Sequence, residues 1–279
     1  MAKTFERQLY ETTRTALLTG GRILRKGFSI KPKISYKSPL SPVTQVDRAS
    51  ERAIISLIRR RFPDHTFLAE ESAFLKRGDL GASRPGRYRW VIDPLDGTVN
   101  YMHAIPLASV SVAVECNGQV LAGGVYDPFR NELFMAQRGL GATLNGWRIH
   151  VSRERALQKA LLITGFPYDS GRNSKLYTRV MEPFLRKSMG IRRFGSAAID
   201  LCWIACGRAD GYWEFNLSPW DVAAGWLVVE EAGGRLSDFS GGVLNLDEPC
   251  QTFASNGLLH APMLRVFRES LKRIGGKKA

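Results

Sequence analysis

Trp90-Val91-Ile92-Asp93-Pro94-Leu95-Asp96-Gly97-Thr98-Val99-Asn100 reads as an apolar strand, Tyr88 to Ile92, running into two aspartates three apart across a proline. Carboxylates desolvated side by side repel one another and need a counter-charge. A hard cation supplies it, and carboxylate and carbonyl oxygens without His or Cys suit Mg²⁺ rather than zinc. Gly97-Thr98 follows at a turn or helix start, where free backbone N–H groups attract a phosphate. Acids, cation and phosphate cradle together describe metal-assisted phosphoryl hydrolysis. A simple turn explains Pro94 and Gly97 but leaves two acids after a buried strand without a reason.

Two further segments place acids at the end of apolar runs: Leu68-Ala69-Glu70-Glu71-Ser72 and Pro219-Trp220-Asp221-Val222-Ala223-Ala224-Gly225. Taken alone, Glu70-Glu71 reads as a solvated turn and Asp221 as a helix N-cap. Around them, helical spacing predicts a helix over 4–27 and another from Asp47, placed to cap it, to Arg61. A polar, Pro-punctuated connection, Lys31 to Pro42, separates the two. Short β-type runs at 66–70, 88–92, 108–115, 120–126 and 132–136 predict an antiparallel meander. Beyond Asn145-Gly146 the pattern is mixed. Strands are expected at 161–164, 211–214, 235–238 and 252–254, with helices at 174–187, 196–206, 221–232 and 258–274. The expectation is a layered α/β protein of two halves. Residues 1–150 form an α+β half with the acidic motifs, residues 151–279 an α/β half that completes the site, and the two pack as one catalytic unit.

With 279 residues, 44% hydrophobic and 24% charged, the chain has material for a large core without staples. The first residues lack the apolar stretch of a secretory signal, and the longest apolar runs are strand-length, so a cytoplasmic location and no membrane span are expected. The net charge of +14 sits at the ends: +10 over residues 1–62, +5 over 265–279 and −1 between. Terminal charge of this kind reads as solvated helix faces, with a polyanion partner such as nucleic acid as the lesser alternative. Cys116, Cys202, Cys206 and Cys250 make no zinc pattern and read as reduced thiols. The four histidines lie in no nucleophile motif.

In order along the chain, Val43-Thr44-Gln45-Val46-Asp47, Ala69-Glu70-Glu71-Ser72, Asp93 to Asn100, Gly195-Ser196-Ala197-Ala198, Trp220 to Gly225 and Glu231-Ala232-Gly233-Gly234 form a set that resembles the inositol monophosphatase family of lithium-sensitive, magnesium-dependent phosphatases. The family usually has Gly where this chain has Ala69. The resemblance implies an alternating αβαβα sandwich of the sugar-phosphatase type. It implies one Mg²⁺ on Glu70, Asp93 and the Leu95 carbonyl, a second on Asp93, Asp96 and Asp221, and a third, weaker ion near Glu70. Gly97 and Thr98 would hold the phosphate, Glu71 would back the ligands, and Thr98 with Asp47 would relay a proton. The bland alternative for that pair is a helix cap and a turn. Asp96, Ser196, Ala197, Glu214 and Asp221 would line the alcohol side, and Lys37 receives no role.

The expected function is hydrolysis of inositol monophosphate by a homodimer. Relatives acting on fructose 1,6-bisphosphate, histidinol phosphate or adenosine 3',5'-bisphosphate are the alternatives, fold alone not separating them. A regulatory RNA- or protein-binding role of the basic surface is the reading from another class.

Overall fold

The computed structural model describes residues 2–29, 33–38, 41–75, 87–167 and 170–275. The first helix, α1 (Ala2–Phe28), leads to β1 (Ile34–Ser38) and β2 (Ser41–Thr44), an antiparallel hairpin where the sequence suggested only a polar connection. Lys37 lies in β1, and its side chain is outside the described residues. Helix α2 (Gln45–Arg61) follows directly.

β3 (Thr66–Ala69) runs into the short α3 (Glu70–Leu75), and the chain then enters β4 (Tyr88–Asp96) and the five-residue α4 (Thr98–Met102). β5 (Ser109–Cys116), β6 (Gln119–Asp127), β7 (Glu132–Gln137), β8 (Gly141–Leu144) and β9 (Trp147–Arg148) complete a seven-stranded sheet in order β3-β4-β5-β6-β7-β8-β9. From β4 onward it is the expected meander, but β3 pairs with β4 in parallel. The parallel pair puts the C-terminal ends of both strands at the same sheet edge, with Ala69 opposite Ile92. Glu70 and Asp93 are the next residues, so an antiparallel pairing would have separated these acids by the length of the strand.

The second sheet has five strands in order β11-β10-β12-β14-β13. Its members are β10 (Leu161–Thr164), β11 (Gly190–Arg192), β12 (Gly211–Leu217), β13 (Arg235–Ser237) and β14 (Cys250–Ser255). The helices between them are α5 (Ser170–Lys187), α6 (Ala197–Ala205), α7 (Pro219–Glu231) and α8 (His260–Gly275).

Strand alternation builds three cores from two sheets. Trp90 and Ile92 point to one side of β4, against Leu9, Leu17 and Leu24 of α1 and Ile54 and Ile58 of α2. Val91 points to the other, into a central core with Leu201 and Ile204 of α6, Leu227 and Val228 of α7, and Ile163, Tyr212 and Ala254 of the second sheet. Their sequence neighbours Leu162, Trp213 and Phe253 face outward onto Val180 and Phe184 of α5 and Met263 and Phe267 of α8. The layering is α1/α2, sheet, α6/α7, sheet, α5/α8: the αβαβα sandwich. Helix α7 is buried on nearly all sides over residues 222–229, which explains the unbroken apolar run there.

Candidate active site

The acids converge because β4 is irregular. Asp93 pairs with Ser111 and Asp96 with Ser109, so three steps on β4 match two on β5. This bulge at Pro94-Leu95 gives the proline a place inside a strand and turns both aspartates the same way, where three regular residues would have sent them to opposite faces. A cavity of about 480 Å³ opens there, lined by Glu70, Asp93, Leu95, Asp96, Gly97, Thr98, Ala197, Glu214 and Asp221 among others.

Each of the three aspartates is held on one side by protein donors. Asp93 Oδ1 accepts from the Leu95 amide at 2.9 Å. Asp96 Oδ2 accepts from the Ser196 hydroxyl at 2.6 Å and the Ala198 amide at 2.9 Å, so the start of α6 anchors it. Asp221 lies at the third position of α7, not at its cap; Ser218 is the cap, and its amide donates to Asp221 Oδ2 at 2.7 Å. Burial raises the pKa of Asp93 well above the usual carboxylate range, with the charges of Glu70, Asp96 and Asp221 adding to it. Asp96 is pushed up to about 6, chiefly by burial, against its bonds to Ser196 and Ala198. Asp221 rises for the same reasons, burial first and then Asp96 and Glu70.

Gly97 has φ +89°, and a Cβ there would stand 3.1 Å from the Leu107 carbonyl and 3.3 Å from that of Gly195, so only glycine fits. The Thr98 hydroxyl reaches Asp47 Oδ1 at 3.2 Å and the Leu95 carbonyl at 3.1 Å. Asp47 does not cap α2 as the sequence suggested: Thr44 is the cap, and Asp47 Oδ2 accepts from its amide at 2.9 Å and its hydroxyl at 2.5 Å. One oxygen of Asp47 thus closes a capping box while the other faces Thr98.

On the far wall, Glu214 Oε2 accepts from the Tyr212 hydroxyl at 2.6 Å. Burial pushes Glu214 up to about 7, the Asp96 charge adding to the rise and the Tyr212 bond and Arg193 opposing it. Ala197 lines the cavity, whereas Ser196 is fully buried behind Asp96 and Glu71 lies buried beside the site without lining it. Sequence reading missed Arg193, Phe166 and Pro167, which line the same cavity as Glu214. The signal for Arg193 was a cation two residues ahead of Gly195-Ser196; the Gly165-Phe166-Pro167 run offered none. Asn100 fastens α4 to the segment ahead of α6, donating to the carbonyls of Leu107 at 3.0 Å and Phe194 at 2.7 Å.

The donor set fits a hard cation: oxygen only, partly buried, and mutually repelling without a counter-charge. Among the described residues no three His, Cys, Asp or Glu side chains are drawn together into a closed metal-binding group; the acids stand around the cavity. All four cysteines are free thiols. His65 accepts from Trp90 Nε1 at 2.9 Å, and His260 bridges two serines, both outside the cavity.

A family model described as "Inositol monophosphatase family" matches residues 6–272. The chain belongs to the inositol monophosphatase family. It is 41% identical over 256 residues to Nus factor SuhB of Pasteurella multocida, covering 91% of each chain. To Nus factor SuhB of Escherichia coli (strain K12) it is 43% identical over 224 residues, covering 80% of this chain and 82% of the relative. The solved inositol monophosphatase from Anabaena superposes with a TM-score of 0.82 at 38% identity, over 94% of this chain and 96% of that one. The extragenic suppressor protein suhB from Bartonella henselae does so with 0.84 at 36%, over 93% and 98%. The family is one of phosphatases, and its members share this layered α/β fold. Among the described residues no helix is long and apolar enough to cross a membrane.

Proposed function

We propose that the protein is a Mg²⁺-dependent phosphomonoesterase that hydrolyses inositol monophosphate to inositol and phosphate. The observation that carries the reading is the bulge in β4, which turns Asp93 and Asp96 together into a cavity shared with Glu70 and Asp221 and rimmed by Gly97 and Thr98. Glu70, Asp93 and the Leu95 carbonyl would hold one Mg²⁺; Asp93, Asp96 and Asp221 would hold a second. Bound there, the ions supply positive charge to the phosphoryl oxygens and acidify water.

The remaining steps fall to the chain's own groups. Gly97 and Thr98, at the start of α4, orient the phosphate through backbone amides. The Thr98 hydroxyl would align the attacking water, take its proton and pass its own to Asp47 Oδ1, whose other oxygen is fixed by Thr44. Glu214 and Asp96 accept hydrogen bonds from hydroxyls of the leaving alcohol. Glu71, buried alongside, backs the ligand shell.

The test is kcat/KM over a panel of inositol 1-phosphate, fructose 1,6-bisphosphate, histidinol phosphate and adenosine 3',5'-bisphosphate. Preference for inositol 1-phosphate supports the proposal; a tenfold preference for another ester assigns the enzyme to that substrate. The name Nus factor on relatives, with the terminal +10 and +5 charge excess, supports a second reading in which the basic surface binds RNA or protein. RNA binding that weakens with salt and survives loss of the acidic site is its signature.

A further inference from the structure

We infer that Glu51 is a positioning residue: its carboxylate, bonded to the first turn of α3, sets the aim of Glu70 into the acidic cavity. Glu51 is buried at 4% exposure. Its Oε2 accepts from the Glu71 amide at 2.7 Å and its Oε1 from the Ser72 hydroxyl at 2.5 Å. Helix α3 begins directly after β3, and the residue before it, Ala69, has no side-chain acceptor for the free amides of a first turn. Glu51 supplies that acceptor from a neighbouring helix, and Glu70 stands between the strand end and the bonded Glu71 amide, so both of its flanks are fixed.

The same face of α2 holds other parts of the cavity wall. Asp47, Ser50 and Glu51 lie at i, i+3 and i+4, one stripe of the helix. Asp47 meets Thr98 at 3.2 Å, Ser50 donates to the Pro94 carbonyl in the β4 bulge at 2.9 Å, and Glu51 meets α3. Two segments from separate parts of the chain, residues 94–98 and the first turn of α3, are thus set against one rigid element. Partners of metal ligands held in this way typically change metal affinity or activity about 10–100-fold when removed.

The inference rests on reading Glu70 as a ligand for Mg²⁺, so the experiment includes controls for that reading. Glu51→Gln keeps the size of the side chain but leaves one oxygen to accept from the Glu71 and Ser72 groups; Ser72→Ala removes only the hydroxyl contact to Oε1. Full-length wild type, E51Q, S72A and E70Q are compared by Mg²⁺ titration calorimetry, by the rise in Tm on adding Mg²⁺, and by ester hydrolysis as a function of Mg²⁺. Expected for E51Q is Mg²⁺ affinity weaker by about tenfold or more, with KM for the ester at saturating Mg²⁺ within about threefold of wild type and metal-free Tm little changed. S72A follows in the same direction by about two- to fivefold and carries the test if E51Q does not fold. Wild-type Mg²⁺ affinity in folded E51Q, or in S72A should E51Q not fold, overturns the inference, as does a loss confined to metal-free Tm. If the wild type binds no Mg²⁺ and E70Q matches it, the reading of the site has failed and this inference with it; if only E51Q departs from expectation, the inference alone falls.

Discussion

Gly165→Ala tests the proposed alcohol-side wall without replacing any acid. Gly165 follows β10, and its backbone is in a region any residue adopts; what the site requires of it is space. A Cβ there would lie 1.9 Å from Glu214 Oε2, 2.1 Å from Cδ and 2.3 Å from Oε1. The methyl displaces the Glu214 carboxylate, which must give up its 2.6 Å bond from Tyr212 to move. A hydrogen bond to a charged group is worth roughly 1.5–3 kcal/mol, and a site that loses its partner for a substrate hydroxyl loses a similar amount. At pH 8, above the value of about 7 at which Glu214 titrates, kcat/KM for inositol 1-phosphate should fall roughly ten- to a hundredfold. For p-nitrophenyl phosphate, which offers no ring hydroxyls, the change should stay under about threefold. Glu214→Ala should show the same split. Equal losses on both esters would mean that Glu214 supports the acidic cluster instead, and unchanged rates on both would remove it from substrate recognition.

His260, 1% exposed and bonded by the hydroxyls of Ser237 and Ser255, titrates at about 4 because of burial and then the charges of Arg235 and Arg268. The unfolded chain takes up that proton near 6.5 and the folded one does not, so stability is lost as pH falls from about 6.5 to about 4, by roughly 3 kcal/mol in full. Urea unfolding of His260→Gln should show a correspondingly flatter decline across this window, and an unchanged slope would contradict it. The acidic cluster has the opposite sign: Asp96, raised from 3.8 to about 6, favours the folded state below 3.8 and loses that contribution as pH rises through 6. Mg²⁺ should therefore raise Tm more at pH 8 than at pH 5.5; equal rises at the two would mean that the ion does not replace protons in this cluster.

The layered fold was legible because short β-type runs are set off by turn residues such as Asn117-Gly118 and Asp127-Pro128 and each outer helix has one apolar face; β10 was placed to the residue. Asp93 and Asp96 stood out because two acids directly behind the apolar run Trp90-Val91-Ile92 repel one another unless a counter-charge is supplied. Less legible was what depends on partners distant in sequence. The parallel pairing of β3 with β4 follows from the route of the chain after α3, which no local pattern encodes. The bulge was invisible because it is a mismatch between two strands, Asp93–Asp96 against Ser109–Ser111, and a proline alone reads as a strand end. Asp47 looked like a cap because Thr44, the actual cap, lay between the Lys31 to Pro42 connection and the expected helix start. Ser196 looked like a wall residue because sequence gives proximity to the site but not depth. Glu51 was hidden in an ordinary amphipathic helix, its partners 20 and 21 residues away.

The central claim is that Asp93 lies between two Mg²⁺ ions in a hydrolytic site. The most direct measurement is inositol 1-phosphate hydrolysis by wild type and Asp93→Asn, with Mg²⁺ and with chelator, beside a thermal melt of each. The account predicts that chelator abolishes wild-type activity reversibly, and that Asp93→Asn folds yet loses well over tenfold in kcat, a tenfold loss being about 1.4 kcal/mol of barrier. A folded Asp93→Asn that keeps more than about a tenth of wild-type kcat would contradict it.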